Sequence, residues 1–545
     1  MENFQAWRQS KKVEPKKEIN SPVRKLAEAL FDIKSRSGAG EDERIPKIQV
    51  SDAAGALAFL YEKLRTIVDD KEERLLRKYA IERILKRKLL IEGANQGIGM
   101  SLIKELIHAR YLPNKSVPES KADEIEHVID KYLYLKQQAE KLDSKKGGDN
   151  FDSWLIGLMA CEIEVKLRQD NIEQPLIEFT YSIIKDDLIF KGQNLSNKEK
   201  ELQILVAAQR VLAKADKMVS SYFILRLYYP DWSKADQKLL DEMAANISLL
   251  RETINRHLLN PAQERIFIIL QKEAIIYNVL TEVIWANPEA ALGFLAKPET
   301  LEKEARKVCA SRHKAAKIRM SGMALRSIIY IFITKIFLAV GIEVPVDFYI
   351  LNQINPVAIG VNVAFPPLYM FFLALSVRMP LKKNADRIWV GIKGIVYTDA
   401  KRLTYKIRAS SRSVLQQLFF TAIYSLITIV IFGAIIVGLL RLEFSAISIL
   451  IFILFLCLIS FFGMRIRRSS REFIVYRQKE GILASIIDFF FLPVINVGRW
   501  LSYKFSKINV FVFFFDFILE APLKMFIDFL EEWTSFLREK KEEIY

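Results

Sequence analysis

The sequence predicts an all-α, polytopic helical membrane protein with a large N-terminal cytoplasmic helical domain. Three observations carry that reading. Residues 418–440 and 444–464 contain no charged side chain, and each run approaches the roughly 20 apolar residues a helix needs to cross hydrocarbon. Apolar residues recur at three- and four-residue spacing through most of the first 300 positions, with no period-two run of convincing length. Charge is divided unevenly: residues 1–300 hold 47 Lys and Arg against 46 Asp and Glu, and residues 301–545 hold 33 against 18. Nearly all of the +16 net charge therefore lies with the apolar runs, as expected of basic segments facing an anionic inner leaflet. That assignment leaves the chain's basicity no role in nucleic-acid binding.

Taken in order, residues 1–46 read as a disordered basic arm. Lys11, Lys12, Lys16 and Lys17 occur there without the apolar core of a secretory signal. Within the arm, residues 21–33 suit a short amphipathic helix with Ser21 as cap and Pro22 in the first helical position. Residues 47–300 form the all-helical domain, with a seam at 145–150 where Lys145-Lys146-Gly147-Gly148 breaks the pattern. Its helices are expected at 51–89, 120–142, 151–169, 175–190, 196–229, 233–259 and 261–286. The start signals are Ser51-Asp52, Ser196 with Glu199, Ser233 with Asp236, and Pro261 after Asn260.

The membrane part begins with a basic juxtamembrane helix at 301–326. Lys303, Arg306, Lys307, Arg312, Lys314, Lys317 and Arg319 are its lipid-facing cations, each contributing roughly 1 kcal/mol near an anionic surface. Residues 327–377 hold two weaker membrane segments. Lys335 interrupts the first, Pro366-Pro367 is expected to break or kink the second, and the connection carrying Glu343 and Asp347 lacks Lys and Arg, as an outer loop should. A basic cytoplasmic loop follows at 378–413, then a transmembrane helical hairpin at 414–464. Residues 465–480 are a basic cytoplasmic segment that opens on Arg465, Arg467 and Arg468. Residues 481–537 read as interfacial or re-entrant amphipathic helices, and 538–545 as a charged tail. Four spans result, or two spans with two re-entrant elements. Both versions put the two termini on the cytoplasmic side of what we take to be a bacterial plasma membrane.

Few residues offer chemistry. Gly93-Ala94-Asn95-Gln96-Gly97-Ile98-Gly99 resembles the glycine fingerprint of short-chain dehydrogenases, and Tyr132 and Lys136 have that family's Tyr-x-x-x-Lys spacing. The loop follows the charged helical stretch 83–88 instead of a buried strand, and no acidic ribose ligand comes at the required distance, so a break between helices is expected. The four histidines and three cysteines are scattered, which gives no metal, disulfide or cofactor pattern. The functional lead is a set of candidate intramembrane charges, Lys335, Asp488, Asp516 and Glu520, each expensive at the bilayer centre. Lys335 either pairs with one of those acids or snorkels to the interface. Tyr228, Tyr229 and Trp232 end a helix and are candidate anchors for a partner.

The expected function is non-enzymatic. The chain would be a membrane-anchored scaffold or membrane-complex subunit that presents its helical domain to a protein partner at the cytoplasmic face and touches anionic inner-leaflet lipid. The alternative is an oligomeric channel or transporter, built from copies of this chain, that uses the intramembrane charges.

Overall fold

The computed structural model describes residues 18–38, 46–50, 75–93, 96–142, 149–168, 171–191, 195–350, 355–376, 381–397, 404–408, 414–471, 482–507 and the single positions 529, 533 and 536. Most of the basic arm, residues 145–148 of the seam, the start of the 51–89 helix, Asp516 and Glu520 lie outside the described residues. Among the described residues helix dominates. The chain divides into two compact units, one built mainly from residues 21–270, the other from 271–402 and 410–509.

The first unit contains helices α1 (Ser21–Gly38), α2 (Leu76–Lys86), α3 (Ile98–His108), α4 (Ser120–Leu142), α5 (Asp149–Leu167), α6 (Glu173–Ile184), α7 (Asn197–Leu212), α8 (Lys217–Tyr228) and α9 (Gln237–Leu258). α4 runs from Ser120 to Leu142 as its periodicity predicts, and α7 has the expected capping box, Ser196 reciprocating with Glu199. The predicted 196–229 helix is in fact two. It stops at Leu212 and restarts at Lys217, where the Asp216 carboxylate accepts the Val219 N–H at 2.7 Å. The start expected at Ser233 moves to Asp236, because Pro230–Lys234 forms a 3-10 turn. The helix predicted to reach residue 190 ends at Ile184. Strand β1 (Leu188–Lys191) follows and pairs in parallel with β2 (Tyr405–Arg408), Leu188 opposite Tyr405. Four-residue strands are too short to show a period-two pattern, so the sequence hides them.

The core of this unit is one continuous cluster. Ile81, Leu85, Leu102, Ile103, Leu106, Ile125, Ile129, Ile163 and Val206 are fully buried in it. Ile98 and Gly99 open α3, and their N–H groups donate to the Glu126 carboxylate. A Cβ on Gly99 would lie 2.4 Å from the Ala122 carbonyl oxygen. The glycine loop therefore serves close packing of α3 on α4, and this protein's own carboxylate occupies the helix N-terminus where a pyrophosphate would sit.

The second unit contains most of α10 (Pro261–Ala286), then α11 (Ala291–Leu295), α12 (Pro298–Leu338), α13 (Pro356–Ser376), α14 (Leu381–Val396), α15 (Val414–Arg441), α16 (Ala446–Arg471) and α17 (Ile482–Lys507). Among the described residues four helices are long and apolar enough to span a membrane: Pro298–Tyr349, Pro356–Leu375, Leu415–Arg441 and Ala446–Met464. The juxtamembrane helix and the first weak segment are one helix. It continues past Leu338 through π turns at Ala339–Glu343 and Val346–Ile350, so Glu343 and Asp347 belong to a helix, not to a loop. Of the expected break or kink at Pro366 and Pro367, the break does not occur: α13 continues through both. Proline is tolerated in membrane helices where neighbours satisfy the freed backbone groups.

Two further expectations change. The basic loop at 378–413 contains the amphipathic helix α14, whose Ile388 and Ile392 are buried, and the strand β2. The spacing of Ile388, Ile392 and Ile395 is the helical signal that the charge count obscured. The hairpin of α15 and α16 does reverse at residues 442–445, but its two arms make less contact with each other than with their other neighbours. α16 lies along α17 and also meets α13 and α12, while α15 chiefly meets α17. Only 6% of the α15 span is buried, against 50% of the α16 span, which makes α16 the centre of the bundle. Contact with α17 is close enough that a Cβ on Gly498 would fall 2.0 Å from the Cys457 carbonyl oxygen, the small-residue approach that brings membrane helices together.

Candidate functional site

The second unit buries a polar cluster on the helix that begins as α12. Ile331, Lys335, Ala339, Glu343 and Asp347 are buried there at intervals of four residues. A regular α-helix would carry such a stripe about 40° around its axis at each step. The two π turns are wider and return the residues to one face. Pro345 lies between those turns and has no N–H to offer the carbonyl one turn back. That local disruption lets the Lys335 ammonium reach the Glu343 carboxylate at 2.5 Å, both side chains fully buried. Asn362 on α13 donates its amide to the other Glu343 oxygen at 2.8 Å and to the Ser448 carbonyl at 3.3 Å. Phe455 of α16 closes the site, its ring centre 5.2 Å from the Lys335 nitrogen.

Sequence reasoning gave Lys335 three candidate acids, and the structure gives it a fourth. The absence of Lys and Arg between the two apolar runs predicts an outer loop around Glu343, whereas the structure puts Glu343 in a π turn of the helix. The signal that identifies it is Pro345 itself, set between two acids. Asp488 lies on α17, apart in sequence from this stripe. Tyr369 and Ser460 share a hydrogen bond at 3.1 Å, and Asn496 donates to Tyr424 at 2.6 Å, so polar pairs also link α13 to α16 and α17 to α15.

The basic stripe on α12 is mostly exposed, at Lys303, Arg306, Lys307, Lys314, Lys317 and Arg319. Arg306 bonds Glu302 at 2.7 Å and Asp386 of α14 at 2.8 Å, Lys307 is 3.9 Å from Glu304, and Arg312 pairs with Glu282. Arg467 is exposed, and Arg465 and Arg468 lie on the same helix end.

In the first unit the expected aromatic anchors separate. Trp232 is fully buried, its indole N–H donating to Glu162 at 2.9 Å and to the Tyr132 hydroxyl at 3.1 Å. Lys131 bonds Glu162 at 2.6 Å and the Trp232 carbonyl at 3.0 Å. Trp232 and Tyr132 are therefore core, which removes Trp232 as an anchor. Tyr229 packs against the same core. Tyr228 is half-exposed, with its hydroxyl 2.8 Å from His257 Nε2.

His257 provides a pH test. Burial, then the neighbouring Arg256, holds its imidazole below the usual value despite Glu199. The folded state then binds a proton less readily than the unfolded chain. Its contribution to stability is complete above about pH 6.5 and is lost as pH falls through the lower folded value. Thermal midpoints of the detergent-solubilised protein should therefore drop more between about pH 7.5 and 5.5 for the parent than for His257→Gln. Equal drops would show that His257 is not coupled to folding.

Sequence reasoning missed a cleft of about 600 Å³ in the first unit. α2 supplies Lys78, Tyr79, Glu82 and Lys86; α5 supplies Trp154; the cap and first turns of α8 supply Asp216 and Lys217; α9 supplies Arg251 and Asn255. Lys78, itself buried, bonds Glu82 at 2.9 Å and Asp216 at 3.1 Å, and the Tyr79 hydroxyl donates to Asp216 at 2.7 Å. Burial alone would raise the Asp216 carboxyl; Lys78, the Val219 N–H and Tyr79 reverse this and hold it below the usual carboxylate range. Arg251 stacks 5.5 Å from the Trp154 ring, and Lys217 is exposed at the mouth. Four basic side chains face two carboxylates, leaving the walls at net +2.

Among the described residues no group of His, Cys, Asp and Glu is arranged to hold a metal ion. No family model, curated protein or solved structure matches this chain.

Proposed function

We propose that the chain is a membrane-anchored scaffold whose helical unit binds an acidic segment of a partner protein in the α2–α5–α8–α9 cleft. The observation that carries this reading is the cleft's charge. Its two carboxylates are already neutralised by Lys78 and Lys86, so the exposed Lys217 is the charge that faces an incoming ligand. Trp154 and Tyr79 add flat surface at little conformational cost. The size suits a short peptide stretch. Charged rims govern association rate and salt dependence more than final affinity, so binding should be fast and salt-sensitive.

The test uses the full chain in nanodiscs and a fluorescent glutamate-rich peptide. Binding that weakens as salt rises and falls at least tenfold in Lys217→Glu supports the proposal. Equal binding by a lysine-rich peptide, or no effect of Lys217→Glu, contradicts it.

The second reading, a channel or transporter built from copies of this chain, rests on Lys335, Glu343 and Asn362. Buried ion pairs and interrupted helices are features that intramembrane pathways use.

A further inference from the structure

The cluster around Glu343 is unbalanced in charge and in hydrogen bonding. Lys335, Glu343 and Asp347 are buried on one face of one helix. Two are acids and one is a base, so the group carries a charge of −1 when all three are ionised. The other faces of this stretch expose apolar side chains, among them Phe337, Val340, Ile342 and Phe348, so in a bilayer lipid instead of water would surround that charge. A buried charge left uncompensated is among the costliest features a fold can hold.

Two buried acceptors also lack partners. Asn362 Oδ1 and Asp347 Oδ1 have no hydrogen bond, although both residues are buried. The Asn362 amide cannot be turned round to remove the first. Its nitrogen faces two acceptors, Glu343 Oε2 and the Ser448 carbonyl, and the reverse orientation would set oxygen against both. Asn362 Oδ1 thus lies beside the Glu343 carboxylate with its lone pairs free. Asp347 follows Glu343 by four residues on the same buried stripe.

We infer that this cluster binds one sodium ion, held by Asp347 Oδ1 and Asn362 Oδ1 next to the Lys335–Glu343 pair. Hard oxygen donors suit a hard, small cation, and a single positive charge brings the cluster to neutrality. A divalent ion would leave it positive. The Lys335 ammonium is committed to Glu343 and lies over the Phe455 ring, so it does not neutralise Asp347 as well.

The experiment uses the full chain in nanodiscs, with sodium chloride compared against choline chloride at constant ionic strength. Calorimetric titration of the parent should show saturable binding of one sodium ion, and sodium should raise the thermal midpoint. Asp347→Asn should weaken sodium binding at least tenfold. In choline that variant should melt no lower than the parent, because the unbalanced charge is gone; in sodium the parent should melt higher. A parent that neither binds sodium nor responds to it overturns the inference. So does a folded Asp347→Asn that keeps the full sodium response. If that variant does not fold, the parent's own titration decides. The peptide assay for the cleft is independent of either result.

Discussion

Replacing Lys335 by Leu should destabilise the membrane unit by about 3–5 kcal/mol, the usual cost of removing one member of a buried ion pair. The variant strands the Glu343 carboxylate among α12, α13 and α16 with only the Asn362 amide for company. Glu343→Leu should cost about as much, since it strands the ammonium against Phe455. The double variant Lys335→Met with Glu343→Leu should recover most of the loss, because a buried pair exchanged for apolar groups of similar volume is close to neutral. Thermal unfolding of the detergent-solubilised chain reads all three. If Lys335→Leu alone melts like the parent, Lys335 reaches the interface instead of Glu343.

A second large effect is expected in the helical unit. Glu162 is buried and receives Lys131, the Tyr132 hydroxyl and the Trp232 indole. Glu162→Ala removes the acceptor of the Tyr132 hydroxyl, leaves the Trp232 indole only Tyr132 and Lys131 only the Trp232 carbonyl, and takes away the Lys131 counter-ion. Burial already pulls the Lys131 ammonium below its ordinary value against the attraction of Glu162, so that loss falls on a group with little reserve. The expected cost is about 3–5 kcal/mol. Trp232→Phe keeps most of the packing and loses only the indole hydrogen bond, so it should cost roughly 1–3 kcal/mol. Hydrogen exchange at α4, α5 and α9 would localise the effect. A Glu162→Ala protein as protected as Trp232→Phe would mean that the network contributes little beyond packing.

These two sites show what the sequence could convey. Long elements were legible wherever one physical rule governed them. α4, α10 and the four apolar runs follow from spacing and length, and the Ser196 box follows from two side chains three residues apart. The cluster at Lys335 was half legible: a lysine in an apolar run marked the place, but its partner depended on π turns. Helical spacing of 3.6 residues puts Glu343 about 80° from Lys335 around the axis, so the pair could not be read from a regular helical wheel. Pro366-Pro367 misled for the converse reason. A rule derived from water-exposed helices overstated a break that a packed membrane helix absorbs. The cleft was invisible because its walls come from four helices, and nothing in the separate stretches around Lys78, Trp154, Asp216 and Arg251 announces that they meet. Trp232 looked like an anchor because aromatics at a helix end resemble a binding motif until their burial is known.

The scaffold reading makes a plain demand: the chain must be found with a different protein, held through the charged cleft. The most direct measurement is the intact mass of the complex extracted from native membranes in mild detergent, taken for the parent and for Lys217→Glu. The account predicts a heteromeric mass for the parent that collapses to copies of this chain alone in the variant. A mass that is a whole multiple of the chain's own in both proteins would contradict it, and would favour a pathway built from repeated copies of the Lys335–Glu343 helix.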